Sequence, residues 1–453
     1  MGAVARDARA TVSPTAGNCL LPDHRLTVLD SGVRVVTEAM PTVRSVTLGF
    51  WIATGSAHES PAEAGLSHLT EHMLFRGSAR YGSLEIDQIF DAMGAELNAG
   101  TGKESTSVYA RVIDEHLPEA FDVVGDMVWS PRLDDADLAN ERQIVLEEIA
   151  MYEDDPQDRV FDVLGEAVFG DHPLGRAVIG SAEVVAGTTA DGLARFHAAH
   201  YTPGDIVIAA AGSVDHDALV ELARAIAVPK RPAAAAPAAL PDQLAPQLRF
   251  LRKDTEQYHV ALGAPAMARD DERRFALRVL DNIIGGTSSS RLFQEVREHR
   301  GLAYNVFSFQ ALYAQSGQIG VYLGTRPDNV GPALQVVADE LARLREQGVT
   351  AEELERSKEN VKGRIVLALE STAARMNRLG AAVLCDQPVL SIDEVVQRIE
   401  AVTLDDVAAL TRELLAPQRL SAAGVGADED AFRRALEPLV PELAAGPAKV
   451  GAA

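Results

Sequence analysis

Apolar residues recur along this chain with two periods, and the period separates helix from strand. In GLSHLTEHMLF, Leu66, Leu69 and Met73 return at helical spacing; they form one buried flank and leave His68 and His72 together on another face. Runs such as SVTLGFWIATGSA, STSVYARVI and QIGVYLGT read as strands, whereas PEAFDVVGDMV and GPALQVVADELARLRE read as helices. Strand and helix are mixed in order, which predicts α+β subdomains with sheets flanked by helices.

The pattern also repeats. SVTLGFWIATGSA opens the first part and HVALGAPAMARDD the second, each followed by a helical stretch; ADLANERQIVLEEIAMYEDDP is mirrored by EELERSKENVKGRIVLALEST, each a long amphipathic helix. From Val228 to Gln247 the chain is rich in Pro and Ala and has neither period, so it reads as a linker. The expected organisation is residues 1–228, a linker over 229–246, and residues 247–453. Pro203-Gly204, ahead of the strand DIVIAAAGSV and the helix DHDALVELARAIA, suggests a second subdomain opening within the first half, hence two subdomains per half.

Composition narrows the partners. With 47% hydrophobic and 24% charged residues in 453, the chain is globular, and its net charge of −24 argues against nucleic acid. An acidic interior would favour basic ligands. Cys19 and Cys385 are the only cysteines, which fits a reducing compartment, here the cytoplasm. Arg6, Asp7 and Arg9 interrupt any apolar leader, and no stretch approaches the roughly 20 apolar residues of a membrane span, so no membrane partner is expected.

The chemistry sits in His68-Leu69-Thr70-Glu71-His72. Imidazoles at i and i+4 on a helix can converge on one ion, and the intervening Glu71 lies where a carboxylate can take a proton from water polarised by that ion. A catalytic zinc site needs a third protein ligand, and ERQIVLEEIAMYEDD is the best source. Glu141 and Glu148 are nearly two turns apart and share a face with Val145 and Tyr152, while Glu147 points elsewhere. Glu148 on this more apolar side suits a ligand, and Glu141 suits a residue that orients one. His197 and His200 lack a nearby carboxylate pair and read as packed or capping, as do His172 and His259.

HLTEH followed by Glu148 resembles the pitrilysin, insulysin and mitochondrial processing peptidase family of inverted-motif zinc peptidases. The likeness extends through GAELNAGTGKESTSVYA, FGDHPLGRAVIGS, FHAAHYTPGDIVIAAAG and GGTSSSRLFQEVREHRGLAYNV, in the family's order. Only Leu69-Thr70, at packing positions, departs from the usual motif. The resemblance implies one Zn2+ per chain on His68, His72 and Glu148, with Glu71 as general base. It also implies two homologous halves in a hinged clamshell, and an Arg and a Tyr that reach substrate, here Arg297 and Tyr304 of REHRGLAY. The segment Gly94–Gly102 resembles the strand that pairs with substrate backbone near Asn98 and Ala99. The second half has no counterpart of HLTEH and reads RVLDNIIGG instead, so it is expected to be non-catalytic. The expected activity is endopeptidase cleavage of short or unfolded peptides by a homodimer, with a heterodimer with a sister subunit as the other assembly. The competing function is a non-catalytic relative that binds or scaffolds.

Overall fold

The computed structural model describes residues 24–232, 234, 238–241 and 244–445; Cys19, the charged start of the chain and parts of the linker lie outside them. The extended runs become eleven strands among the described residues. In the first half these are β1 (Arg25–Val28), β2 (Arg34–Ala39), β3 (Ser45–Ile52), β4 (Glu96–Thr101), β5 (Thr106–Ile113) and β6 (Ile206–Gly212). They form one sheet in the order β1-β2-β6-β3-β5-β4. In the second half β7 (Leu248–Arg252), β8 (Tyr258–Ala266), β9 (Asn305–Leu312), β10 (Gly317–Thr325) and β11 (Ser421–Gly426) form a sheet in the order β7-β11-β8-β10-β9. With β1 removed, the two orders match strand for strand. Each sheet is antiparallel apart from one parallel pair, β2 with β6 and β7 with β11. The two homologous α+β halves expected from the sequence are therefore present.

One refinement concerns the interior of each half. Ile206–Gly212, read from sequence as the start of a further subdomain, is a buried strand between β2 and β3, so each half gathers around a single sheet. The reason lies in its composition: IVIAAAG is apolar on both faces and is stable only where both are covered.

What covers those faces ties the halves together. One face of the first sheet packs on the helix Leu117–Trp129 and its neighbour His216–Ala225. The other face presents Val36, Val207, Ala209 and Ala211 to Met376, Leu379 and Val383, which belong to the helix Thr372–Leu384 of the second half. Reciprocally, the helix Pro156–Phe169 of the first half lays Val160, Leu164 and Val168 against Ala261, Tyr322 and Val425 of the second sheet. Each exchanged helix follows its half's long helix, Asp135–Asp154 and Ala351–Ala368.

Polar contacts lock one exchange. Glu38 on β2 is 2% exposed and pairs with both Arg375 and Arg378 of the incoming helix. Trp51 Nε1 donates to Met376 Sδ at 3.2 Å, and a Cβ on Gly380 would fall 2.2 Å from Trp51 Nε1, so the helix sits flush against the indole. The linker is not free either: Arg231 donates to the carbonyls of His197 and Tyr201, and Leu240 N donates to Gln315 Oε1. No helix of the described residues is long and apolar enough to cross a membrane.

Removing one side of a buried ion pair leaves the other charge uncompensated. Glu38→Ala is therefore expected to cost about 3 kcal/mol of stability, read as a lower urea midpoint; an unchanged midpoint would contradict the locking role.

Candidate metal centre

The helix Leu66–Leu74 is held at its start by backbone geometry and one carboxylate. Gly65 adopts φ 103°, a left-handed conformation that favours glycine, and a Cβ on the neighbouring Gly180 would lie 2.2 Å from Gly65 Cα. The buried Glu59 accepts from Gly65 N at 2.9 Å and Ser67 N at 2.7 Å, satisfying two free N–H groups and complementing the helix dipole. Leu66, Leu69 and Met73 are buried as their spacing predicts, packed with Leu138, Val145 and Ile149 of the helix Asp135–Asp154. That long helix is capped by Asp134, which accepts from Ala136 N and Asp137 N.

This packing brings the three candidate ligands together. Glu148 Oε2 lies 3.8 Å from His68 Nε2 and 3.6 Å from His72 Nε2, and one ligand atom from each of the three residues falls within 4.8 Å of the others. Donors bound tetrahedrally to one ion at roughly 2.0–2.1 Å stand about 3.4 Å apart, so the spacing suits a shared ion better than a direct hydrogen bond. Burial, aided by the neighbouring His72, pushes the His68 imidazole down to about 4, so it is neutral and carries a free lone pair at neutral pH. The donor set therefore fits a divalent metal.

His72 is oriented from behind. Its Nδ1 lies 2.9 Å from Glu141 Oε2, so Nδ1–H donates to the carboxylate and Nε2 faces Glu148. Glu141 is 1% exposed and is paired with Arg76. Glu147 points to solvent, where Gln143 Nε2 donates to it at 3.3 Å, as the helical wheel requires. Burial pushes the Glu71 carboxyl up, opposed chiefly by Thr101 on β4, whose Oγ1 donates to Glu71 Oε2 at 2.5 Å. Arg76 and Thr101 were not singled out in the sequence. Arg76 was findable, four residues beyond His72 in the turn that ends its helix, whereas Thr101 reaches Glu71 only through the sheet.

His68 and Glu71 open onto a cavity of about 600 Å³. Ala99, Gly100 and Thr101 of β4 form one wall, and Phe309, Ala311 and Tyr313 of the second half form another. Strand β4 is the sheet's edge, paired only with β5, and Asn98 Oδ1 accepts from Ala99 N at 2.8 Å. Arg297 and Tyr304 are placed elsewhere. They stack on each other, with the guanidinium carbon 4.5 Å from the ring centre, and Tyr304 is 78% exposed, but neither lines this cavity.

Residues 34–182 match the insulinase family (peptidase family M16), and residues 188–361 match the peptidase M16 inactive domain. An uncharacterized zinc protease of Streptomyces coelicolor is 45% identical over 90% of this chain and 91% of its own length. The chain belongs to the M16 family. The uncharacterized zinc protease YmxG of Bacillus subtilis is 40% identical over 85% of this chain and 94% of its own. A protease from Helicobacter pylori shares the fold, with a TM-score of 0.85 over 90% of this chain and all of the other at 21% identity. The inactive-domain match to the second half of this M16 chain accords with its lack of a His-x-x-Glu-His counterpart.

The histidines set aside are engaged in packing. His197 is buried, with Nε2 donating to Val128 O at 2.9 Å; His172 Nδ1 accepts from Leu174 N, and His259 Nδ1 lies 2.9 Å from Tyr322 Oη. Burial holds His197 down to about 4. Its folded pKa thus lies below the unfolded value of 6.5, so its stabilising contribution is complete above pH 6.5 and is lost as pH falls toward 4. In metal-free protein, His197→Gln should flatten the acid limb of the stability curve by about one proton between those values, measured by urea unfolding at each pH; an unaltered limb would refute it.

Proposed function

We propose that this chain is a zinc-dependent endopeptidase that hydrolyses short or unfolded peptides in a closed chamber. The supporting observation is the convergence of His68, His72 and Glu148 on one point, with the desolvated carboxyl of Glu71 beside it. The curated relatives named as zinc proteases support zinc as the ion, one per chain. When bound, zinc supplies Lewis-acid polarisation of the scissile carbonyl and acidifies water.

The chain's own residues do the rest. Glu71, fixed by Thr101, takes the proton from the attacking water and passes it to the leaving amine. Glu141 holds His72 in the tautomer that leaves Nε2 free, and Arg76 compensates the buried charge of Glu141. The open edge of β4 near Asn98 and Ala99 receives the peptide as an added strand, which sets its register.

Arg297 and Tyr304 remain suited to bind a carbonyl and an oxyanion, but they lie outside the cavity of their own chain. Their position favours a homodimer in which one copy presents the pair to the other's zinc centre; a sister subunit in a heterodimer would serve equally.

Cleavage of a fluorogenic peptide should vanish with chelator and return with zinc; persistent turnover in chelator would refute the metal role. Glu71→Gln should keep one zinc per chain while kcat falls about 10²–10⁴-fold, and full activity with zinc retained would remove Glu71 as the base. Glu141→Gln should weaken zinc binding about 10–100-fold in competition with a chromogenic chelator; wild-type affinity would exclude an orienting role.

A further inference from the structure

The second half carries a counterpart of the metal centre whose charges are reversed. The helix Arg274–Ile284 packs beside the edge strand β9 as Leu66–Leu74 packs beside β4, and Ala351–Ala368 packs against it as Asp135–Asp154 packs against the motif helix. Arg278, Asp281 and Asn282 repeat the intervals of His68, Glu71 and His72. Arg364 stands as far from the start of its helix as Glu148 does, and Ser357 as far as Glu141. The contacts repeat as well. Ser357 Oγ donates to Asn282 Oδ1 at 2.9 Å where Glu141 meets His72, and Asp281 has Gln310 of β9 beside it where Glu71 has Thr101 of β4. Two ligand positions have become guanidiniums and the third an amide, so the place cannot hold a cation.

It is not a collapsed remnant. Asp281, Asn282, Arg278 and Arg364 line a cavity of about 970 Å³. Of five arginines on its wall, Arg269 pairs with Glu104, Arg378 pairs with Glu38, and Arg274 donates to the carbonyl of Arg269. Arg278 and Arg364 have neither a hydrogen bond nor an ion pair among the described residues, in a chain of net charge −24 that has acidic groups to spare. Two uncommitted guanidiniums face the single lining carboxylate of Asp281, itself held by Ser308 Oγ, while Arg274 shares Glu272 with Arg398 and Arg378 shares Glu38 with Arg375, so the wall carries an excess of positive charge. The planar fork of each uncommitted guanidinium matches the two oxygens of a carboxylate. Phe309 lines both this cavity and the one holding His68 and Glu71, so the two adjoin.

We infer that Arg278 and Arg364 form a binding site for a peptide carboxylate, either a free C-terminus or an acidic side chain. The peptide as source of that carboxylate rests on the peptidase reading; the charge and geometry of the site do not. The site would anchor one end of a peptide while another part lies along β4, through two charge-assisted fork contacts of the kind guanidinium makes with carboxylate.

The test uses full-length protein in chelator, so that nothing is cleaved, and the anisotropy of three labelled peptides of one sequence: free acid, C-terminal amide, and amide with an internal Glu. The free acid or the Glu peptide should bind about tenfold or more tightly than the neutral amide, with the preference shrinking as salt rises. The arm that gains identifies the source of the carboxylate. The preference should disappear in Arg278→Gln/Arg364→Gln, two exposed positions whose replacement should leave the melting temperature unchanged. Equal binding of all three peptides by the wild type, or a preference that survives the double substitution, would overturn the inference. If the peptidase reading alone were wrong, turnover with zinc would be absent while the carboxylate preference remained.

Discussion

The apolar seam between the helices Leu66–Leu74 and Asp135–Asp154 is the contact on which the centre depends. Leu66, Leu69 and Met73 fill against Leu138, Val145 and Ile149, and their burial sets the rotation of both helices. Once that rotation is fixed, His68, His72 and Glu148 have one direction left to face. Burying such side chains contributes about 1.5–3 kcal/mol each, more than a surface ion pair at about 0–1 kcal/mol. The ligands are therefore brought together by the hydrophobic flank behind them, and no mutual attraction among them is required.

That seam explains why so much of the centre was legible in the sequence. Helical spacing alone placed His68 beside His72 and separated Glu148 and Glu141 from Glu147, because each inference stays within one helix. The duplication was legible for a similar reason, since matching strand and helix patterns recur in both halves. Legibility failed where the answer lay in contacts between distant segments. Ile206–Gly212 could not be assigned to the first sheet from local pattern, because its neighbours β2 and β3 are remote in sequence. Thr101 fell within the segment read as a backbone-pairing strand, and nothing local marks its hydroxyl as a partner of Glu71. Arg297 and Tyr304 were identifiable as a pair, but spacing says nothing of the distance between a pair and a site on another domain.

The duplicated architecture also shows how one scaffold supports opposite electrostatics. In both halves a short helix, a long helix and an edge strand converge, and a side chain of the short helix is steadied by one from the long helix. In the first half the converging groups are imidazoles and carboxylates, a place for a cation. In the second they are guanidiniums around one carboxylate, a place for an anion. Few positions separate the two, because the packing behind them is shared.

The exchanged helices bear on how the chain is made. During synthesis the first sheet is complete once β6 has emerged, yet the apolar face formed by Val36, Val207, Ala209 and Ala211 has no cover until residues 372–384 follow. The amino-terminal half must therefore wait, with a sticky surface exposed, through most of the translation of its twin. A fragment ending at the linker would keep that surface bare and lose its partner for Pro156–Phe169, so neither half is a self-sufficient folding unit.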